Sequence, residues 1–152
     1  MIEFTVPGVP APQGSKVRTK WGMREDNPAT RPWRQAVGFE ALAAMKGAPP
    51  YSGPLRLEVV FAFPRPKSHY GTGKNADVLK AAAPTLHTAK PDVDKLVRAI
   101  GDAVTGVCCR DDSQFALVVA RKIYGTPGAR VTITPVDARP SVNVRAFAAE
   151  LF

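Results

Sequence analysis

The chain has 152 residues and a mass of 16.3 kDa, the size of one domain, and no apolar run approaches the roughly 20 residues that a bilayer span requires. Lys and Arg number 21 against 13 Asp and Glu, which gives a net charge of +8 and an isoelectric point near 9.9. A membrane span is excluded, and a polyanionic partner, with nucleic acid first, is favoured through phosphate neutralisation.

Residues 2–6 alternate weakly and stop at Pro7, Pro10 and Pro12, which predicts a short strand running into a loop. The opening residues have neither a basic cluster nor a long apolar stretch, so a cytoplasmic protein is expected. Lys16, Arg18 and Lys20 then recur at alternate positions and point the same way on an extended chain. They make either a basic strand facing a phosphate backbone or a solvated edge strand guarded by its charges.

Thr30 is placed to cap a helix over 31–46, with Pro32 in the first turn and Trp33, Val37, Ala41 and Ala44 at helical spacing until Gly47. Trp33 begins an apolar stripe, which assigns it to the core rather than to a nucleobase. Leu55, Leu57, Val59, Phe61 and Phe63 alternate with other residues and predict a half-buried strand. From Pro64 to Lys90 the chain is irregular, with one short helix expected over Ala76–Ala82. Arg65, Lys67, His69, Tyr70 and Lys74 suit a grip on a nucleic-acid backbone, or equally a solvated insertion.

Val93, Leu96, Val97, Ile100 and Val104 form the strongest helical stripe, ended by Gly106. Two β-rich runs, 115–124 and 129–136, flank Gly125-Thr126-Pro127-Gly128, the signature of a hairpin. Val144, Phe147, Ala148 and Leu151 predict a docked helix over 141–152. The elements sum to one α/β domain of mixed α+β type over 1–152, with a mixed sheet, flanking helices and a C-terminal β-hairpin.

Charge within this frame is uneven. Asp92, Asp94, Asp102, Asp111 and Asp112 place five of the 13 acids in one 21-residue window. Clustered carboxylates repel unless a cation or a proton neutralises them. Inside a helix Asp92 and Asp94 would diverge by about 200°. With Pro91 holding Asp92 in an extended approach and Asp94 in the first turn, both fall on nearly one side. They form a pair of hard oxygen ligands, or a cap and a dipole-favoured acid. Asp111 and Asp112 return after one helix and one loop, where they can stand beside the first pair.

A site of Asp92, Asp94, Asp111 and Asp112 suits Mg²⁺, with Mn²⁺ as a substitute. The adjacent Cys108 and Cys109 frame neither a disulfide scaffold nor a zinc site. Asp94, Arg98 and Asp102 recur at i, i+4 and i+8, as an ion-pair ladder or with Arg98 aimed at a scissile phosphate. Lys90 and Lys95 flank the acids as candidate backbone contacts. His87 is a candidate base or phosphate contact, or a solvated loop residue.

The run Lys90-Pro91-Asp92-Val93-Asp94-Lys95-Leu96-Val97-Arg98-Ala99-Ile100-Gly101-Asp102-Ala103-Val104-Thr105-Gly106, followed by Arg110-Asp111-Asp112-Ser113-Gln114, resembles the RusA family of Holliday junction resolvases. Phe63-Pro64-Arg65-Pro66-Lys67-Ser68-His69-Tyr70 and Lys122-Ile123-Tyr124 extend the likeness across most of 55–136. The resemblance implies a small homodimeric Mg²⁺-dependent endonuclease, of a kind often encoded by phages and prophages, that nicks four-way DNA junctions symmetrically. It further implies that Asp92, Asp94 and Asp112 are the metal-binding carboxylates.

The chain departs from the family pattern at Lys95, where Asn is usual, and at Arg98, where Lys is usual. The first change removes a hydrogen-bonding amide beside the acids, and the second replaces a compact ammonium with a planar fork. The expected function is therefore resolution of branched DNA in recombination and repair, with Asp92, Asp94, Asp112 and Arg98 catalytic. Lys16, Arg18, Lys20, Arg65, Lys67, His69, Lys74, His87, Lys90 and Lys95 are the expected DNA contacts. The alternatives are a nuclease for other branched nucleic acids and a junction-binding protein without catalysis.

Overall fold

The computed structural model describes residues 1–137 apart from 15 and 26. The expected helix over 141–152 lies outside them. Six strands and two helices follow in chain order: β1 (Ile2–Pro7), β2 (Lys16–Thr19), β3 (Gly22–Glu25), α1 (Thr30–Met45), β4 (Leu55–Phe63), α2 (Val93–Val104), β5 (Phe115–Tyr124) and β6 (Gly128–Pro135). β2 and β3 pair as a separate two-stranded hairpin, and the others form one mixed sheet in the order β1–β6–β4–β5. β4 runs parallel to β5, while β6 runs antiparallel to both of its neighbours.

The strict alternation of β4 buries Leu55, Leu57, Val59, Phe61 and Phe63 on one face, joined there by Phe4 and Val6 of β1 and Val131 and Ile133 of β6. Both helices close that face. α1 contributes Trp33, Val37, Ala41 and Met45, and α2 contributes Leu96, Ala99, Ile100 and Val104, so Trp33 is core as its spacing predicts. Each fully buried Leu, Ile, Val or Phe stabilises the fold by about 1.5–3 kcal/mol relative to exposure.

The C-terminal hairpin is a hairpin of the chain but not of the hydrogen-bond ladder. β5 and β6 are consecutive and antiparallel, yet β4 lies between them and takes the ladder bonds of both. Residues 125–127 therefore cross two strand spacings, about 10 Å, which a two-residue turn could not do. Gly125 makes the crossing over the end of β4, its N–H donating to the Phe63 carbonyl at 2.9 Å.

Two local expectations are corrected. Thr30 is the first helical residue rather than the cap; it is fully buried, and its hydroxyl donates to the Pro12 carbonyl at 2.8 Å, tethering the loop after β1. No helix forms over Ala76–Ala82. Short 3₁₀ turns stand at Lys67–His69 and Gly73–Asn75, and the backbone bonds backwards instead, Gly71 N–H to the Val78 carbonyl and Lys80 N–H to the His69 carbonyl, both at 2.9 Å. Gly71 permits this fold-back, because a Cβ there would stand 2.6 Å from the Asn75 carbonyl oxygen. Among the described residues no helix is long and apolar enough to cross a membrane.

Candidate active site

The chain reaches α2 through a cis Lys90–Pro91 bond, and Asp92 is extended (φ −68°, ψ 139°) immediately before the first helical residue. Asp92 sits at the cap position but its carboxylate makes no capping bond. Its Oδ2 instead lies 3.6 Å from Lys95 Nζ, an exposed pair of small energetic weight. Asp94 occupies the exposed first turn, where the helix dipole favours a negative charge. Arg98 is exposed one turn further on and forms no ion pair among the described residues. The Asp94–Arg98–Asp102 ladder does not form, since Asp102 faces Arg34 of α1 at 4.0 Å.

What holds this helix head in place comes from β5. Lys122 Nζ donates to the carbonyls of Ala89 at 2.6 Å and Pro91 at 2.7 Å, pinning the backbone on either side of Lys90. Gln13 N–H donates to the Lys95 carbonyl at 2.9 Å and closes the other side. Lys122 is missing from the sequence-derived site because its partners are backbone carbonyls some thirty residues away, which carry no sequence signal.

The second acid pair has a different fate. Asp111 caps the 3₁₀ turn Asp112–Gln114: its Oδ1 accepts from Ser113 N–H at 2.9 Å, and Gln114 Oε1 accepts from Asp111 N–H at 3.2 Å. The bond from Ser113 holds the Asp111 carboxyl below its usual range. Gln114 also donates to the Tyr51 and Gly53 carbonyls, tying the turn to the approach to β4. Asp112 lies against Gly101 of α2, where a Cβ would come within 3.9 Å of its Oδ2.

Gly101 is seven residues past Asp94, so Asp112 stands about 10 Å further along the helix axis. The expected convergence of four carboxylates is therefore not seen. Among the described residues no group of three or more His, Cys, Asp or Glu side chains is close enough to hold a metal ion. Asp92 and Asp94 supply hard oxygen donors of the type Mg²⁺ takes, while a three-carboxylate set is not gathered among the described residues. Cys108 and Cys109 are buried, and burial pushes the Cys108 thiol up to about 12, which keeps it protonated and inert.

The candidate DNA contacts divide into three groups. Arg65 and His69 are committed to the fold: Arg65 donates to the Pro84 carbonyl at 2.7 Å and lies 4.8 Å from the Tyr124 ring centroid, and His69 meets Tyr124 edge-on. His87 is half-buried. Its ring stacks on Phe63 at 4.3 Å, and burial, with the Lys122 charge second, pushes its pKa below the ordinary value. Lys67, Lys74, Lys90 and Lys95 are exposed, as are Arg18 and Lys20.

Lys16 and Arg18 belong to β2 as the alternation predicts, whereas Lys20 sits in the turn after it. At that turn Trp21 is 90% exposed, with Lys20 Nζ 5.7 Å from its ring centroid. Sequence pattern alone did not single out this open aromatic ring beside cations. Lys90, Asp92 and Lys95 also rim a cleft of about 610 Å³ between the loop after β1 and the end of β4.

Comparison with known proteins gives this geometry its class. The model of the family described as endodeoxyribonuclease RusA matches residues 7–134, most of the chain, and the chain belongs to that family of nucleases. A protein of Bacillus subtilis (strain 168) described as the uncharacterized protein YqaN is 34% identical over 145 residues, which cover 90% of this chain and 98% of that protein.

Proposed function

We propose that the chain is a Mg²⁺-dependent, structure-selective endodeoxyribonuclease that resolves four-way DNA junctions by paired symmetric nicks. The observation that carries this reading is the head of α2. Asp92 and Asp94 stand exposed, the Asp92 carboxylate makes no capping bond, and the backbone beneath them is pinned by Lys122. A carboxylate serving only as a cap would be bonded as Asp111 is, so the non-catalytic alternative is the weaker one.

In this reading Asp92 and Asp94 hold the metal, which supplies an activated water and charge neutralisation when bound. Arg98, one turn along, stabilises negative charge developing on the phosphate. Lys90 and Lys95 hold the flanking phosphates. The hairpin of β2 and β3, with Arg18, Lys20 and Trp21, extends the contact along a junction arm. Asp112 is the third acid that the family resemblance assigns.

Two nicks related by a two-fold axis require two such sites, and one chain carries one, so the working unit is a C₂ homodimer. The test is cleavage of a synthetic four-way junction and of a supercoiled cruciform. Wild type with Mg²⁺ linearises the cruciform, while Asp94→Asn binds the junction with undiminished affinity and cuts it at least about 100-fold more slowly. Equal cutting by wild type and variant removes Asp94 from the site. Single nicking by a species that sediments as a monomer removes the dimer.

A further inference from the structure

The cleft beside Asp92 is built for more than a phosphate. A phosphodiester is held by cations and backbone amides, and here the cations Lys90 and Lys95 stand at the rim. The rest of the lining is mostly apolar, with Val9 and Pro10 from the loop after β1 and Phe63 in its stack with His87, and Asn27 as a further polar group. Apolar and aromatic walls around about 610 Å³, with few polar groups, suit a flat heteroaromatic ring.

The polar group that such a ring would meet is already present. His87 Nδ1 is buried and has no hydrogen-bond partner among the described residues. A buried imidazole nitrogen left unpaired costs free energy that a ligand able to bond it recovers. Burial, with the Lys122 charge second, lowers the pKa of the imidazole and so favours its neutral form, in which one ring nitrogen donates and the other accepts, as base-edge recognition needs. A charged imidazolium, which would prefer a phosphate, is disfavoured by the same surroundings.

We propose that this cleft receives one nucleobase, turned out of the stack, from the strand whose phosphate lies at Asp92, with the flanking phosphates on Lys90 and Lys95. The proposal rests on the nuclease reading and names the part of the DNA that this site takes. Bases next to a branch point are the least costly to unstack, which ties occupancy of the cleft to branched rather than continuous duplex. A base in the cleft also fixes the neighbouring phosphate relative to the two carboxylates, the positioning on which hydrolysis depends.

The test is a set of four-way junctions with 2-aminopurine placed in turn at each position flanking the branch point, bound by the wild-type protein in EDTA so that no strand is cut. Fluorescence rises several-fold at one position in each symmetry-related strand. Val9→Trp, which fills the mouth of the cleft from an exposed position, returns that signal to the level of free junction while Tm stays unchanged and the junction is still bound at saturating protein. A flat signal at every position, or a signal that Val9→Trp leaves intact, overturns the proposal. Nicking with Mg²⁺ but no fluorescence change removes the base pocket and leaves the nuclease. A fluorescence change without nicking does the reverse, and failure to bind the junction removes both.

Discussion

The head of α2 and the turn that follows the helix both carry an aspartate pair, and the two pairs are used differently. At Asp111 the carboxylate meets the Ser113 amide, so its charge is bonded locally and shapes a turn. At Asp92 the backbone is held by side chains from elsewhere, Lys122 above all, and the carboxylate makes no capping bond. Two acids of the same type next to a helical turn thus differ, one bonded to a neighbouring amide as a cap and the other paired only with an exposed lysine. Asp112, one residue from the cap, has its backbone fixed by that turn and its side chain laid against α2.

This contrast makes Asp112 and Asp111 separable by mutation. Asp112→Asn is expected to slow junction cleavage by more than about 100-fold without lowering Tm, because the family resemblance assigns it as the third acid and its carboxylate makes no hydrogen bond among the described residues. A Tm drop with unchanged cleavage would exchange the roles of the two acids. A smaller loss is expected from Lys122→Met, about 10- to 100-fold in cleavage with junction binding kept, since the variant loosens the backbone under Asp92 without removing a ligand. In the same variant the His87 titration, followed by NMR, moves up toward 6.5 as the repulsive ammonium is lost, although burial, the larger cause, still holds it lower. Lys122→Arg restores part of the cleavage. Loss of cleavage with His87 unmoved would show that Lys122 acts elsewhere.

The smallest expected effect is that of Asp111→Asn, a Tm lower by a few degrees with cleavage unchanged. Its pH dependence has a definite sign. The folded-state carboxyl is held below its ordinary value, so its contribution is complete above the unfolded value near 3.8 and is lost as pH falls through the lower folded value. Thermal melts between pH 7 and pH 2 should show that acid limb in wild type and a flatter one in the variant. Identical limbs would mean that the charge on the Asp111 carboxylate adds nothing to stability, since the amide oxygen of the variant can accept the same bond.

Much of the fold was legible because its signals are periodic. β4 reads as a two-residue alternation and α2 as a helical stripe, and both form where the pattern puts them. β3 was invisible, since Gly22-Met23-Arg24-Glu25 has neither alternation nor β-branched residues and pairs only with β2. The turn residues 125–128 announced a reversal but could not announce the strand that lies inside it. At the candidate site, the acids could be named from the sequence but their mutual distance could not, because the position of Asp112 depends on Gln114 reaching the Tyr51 and Gly53 carbonyls. Bonds to distant main-chain atoms leave no mark on side-chain spacing.

The strand order also dictates when the protein can finish folding. β6, the last strand of the sheet, is the one element that joins β1 to β4, pairing Ile2 with Ile133 at one end of its ladder with β1 and Phe61 with Ala129 near one end of its ladder with β4. Until it arrives, β1 has no ladder at all and β4 is an open edge. Sheet closure therefore waits until β6 has followed β1 by more than a hundred residues, a high-contact-order route that is slow and leaves strands unpaired in the meantime. A chain that stops before Gly128 would keep only the β4–β5 pair of that sheet and leave β1 without a partner.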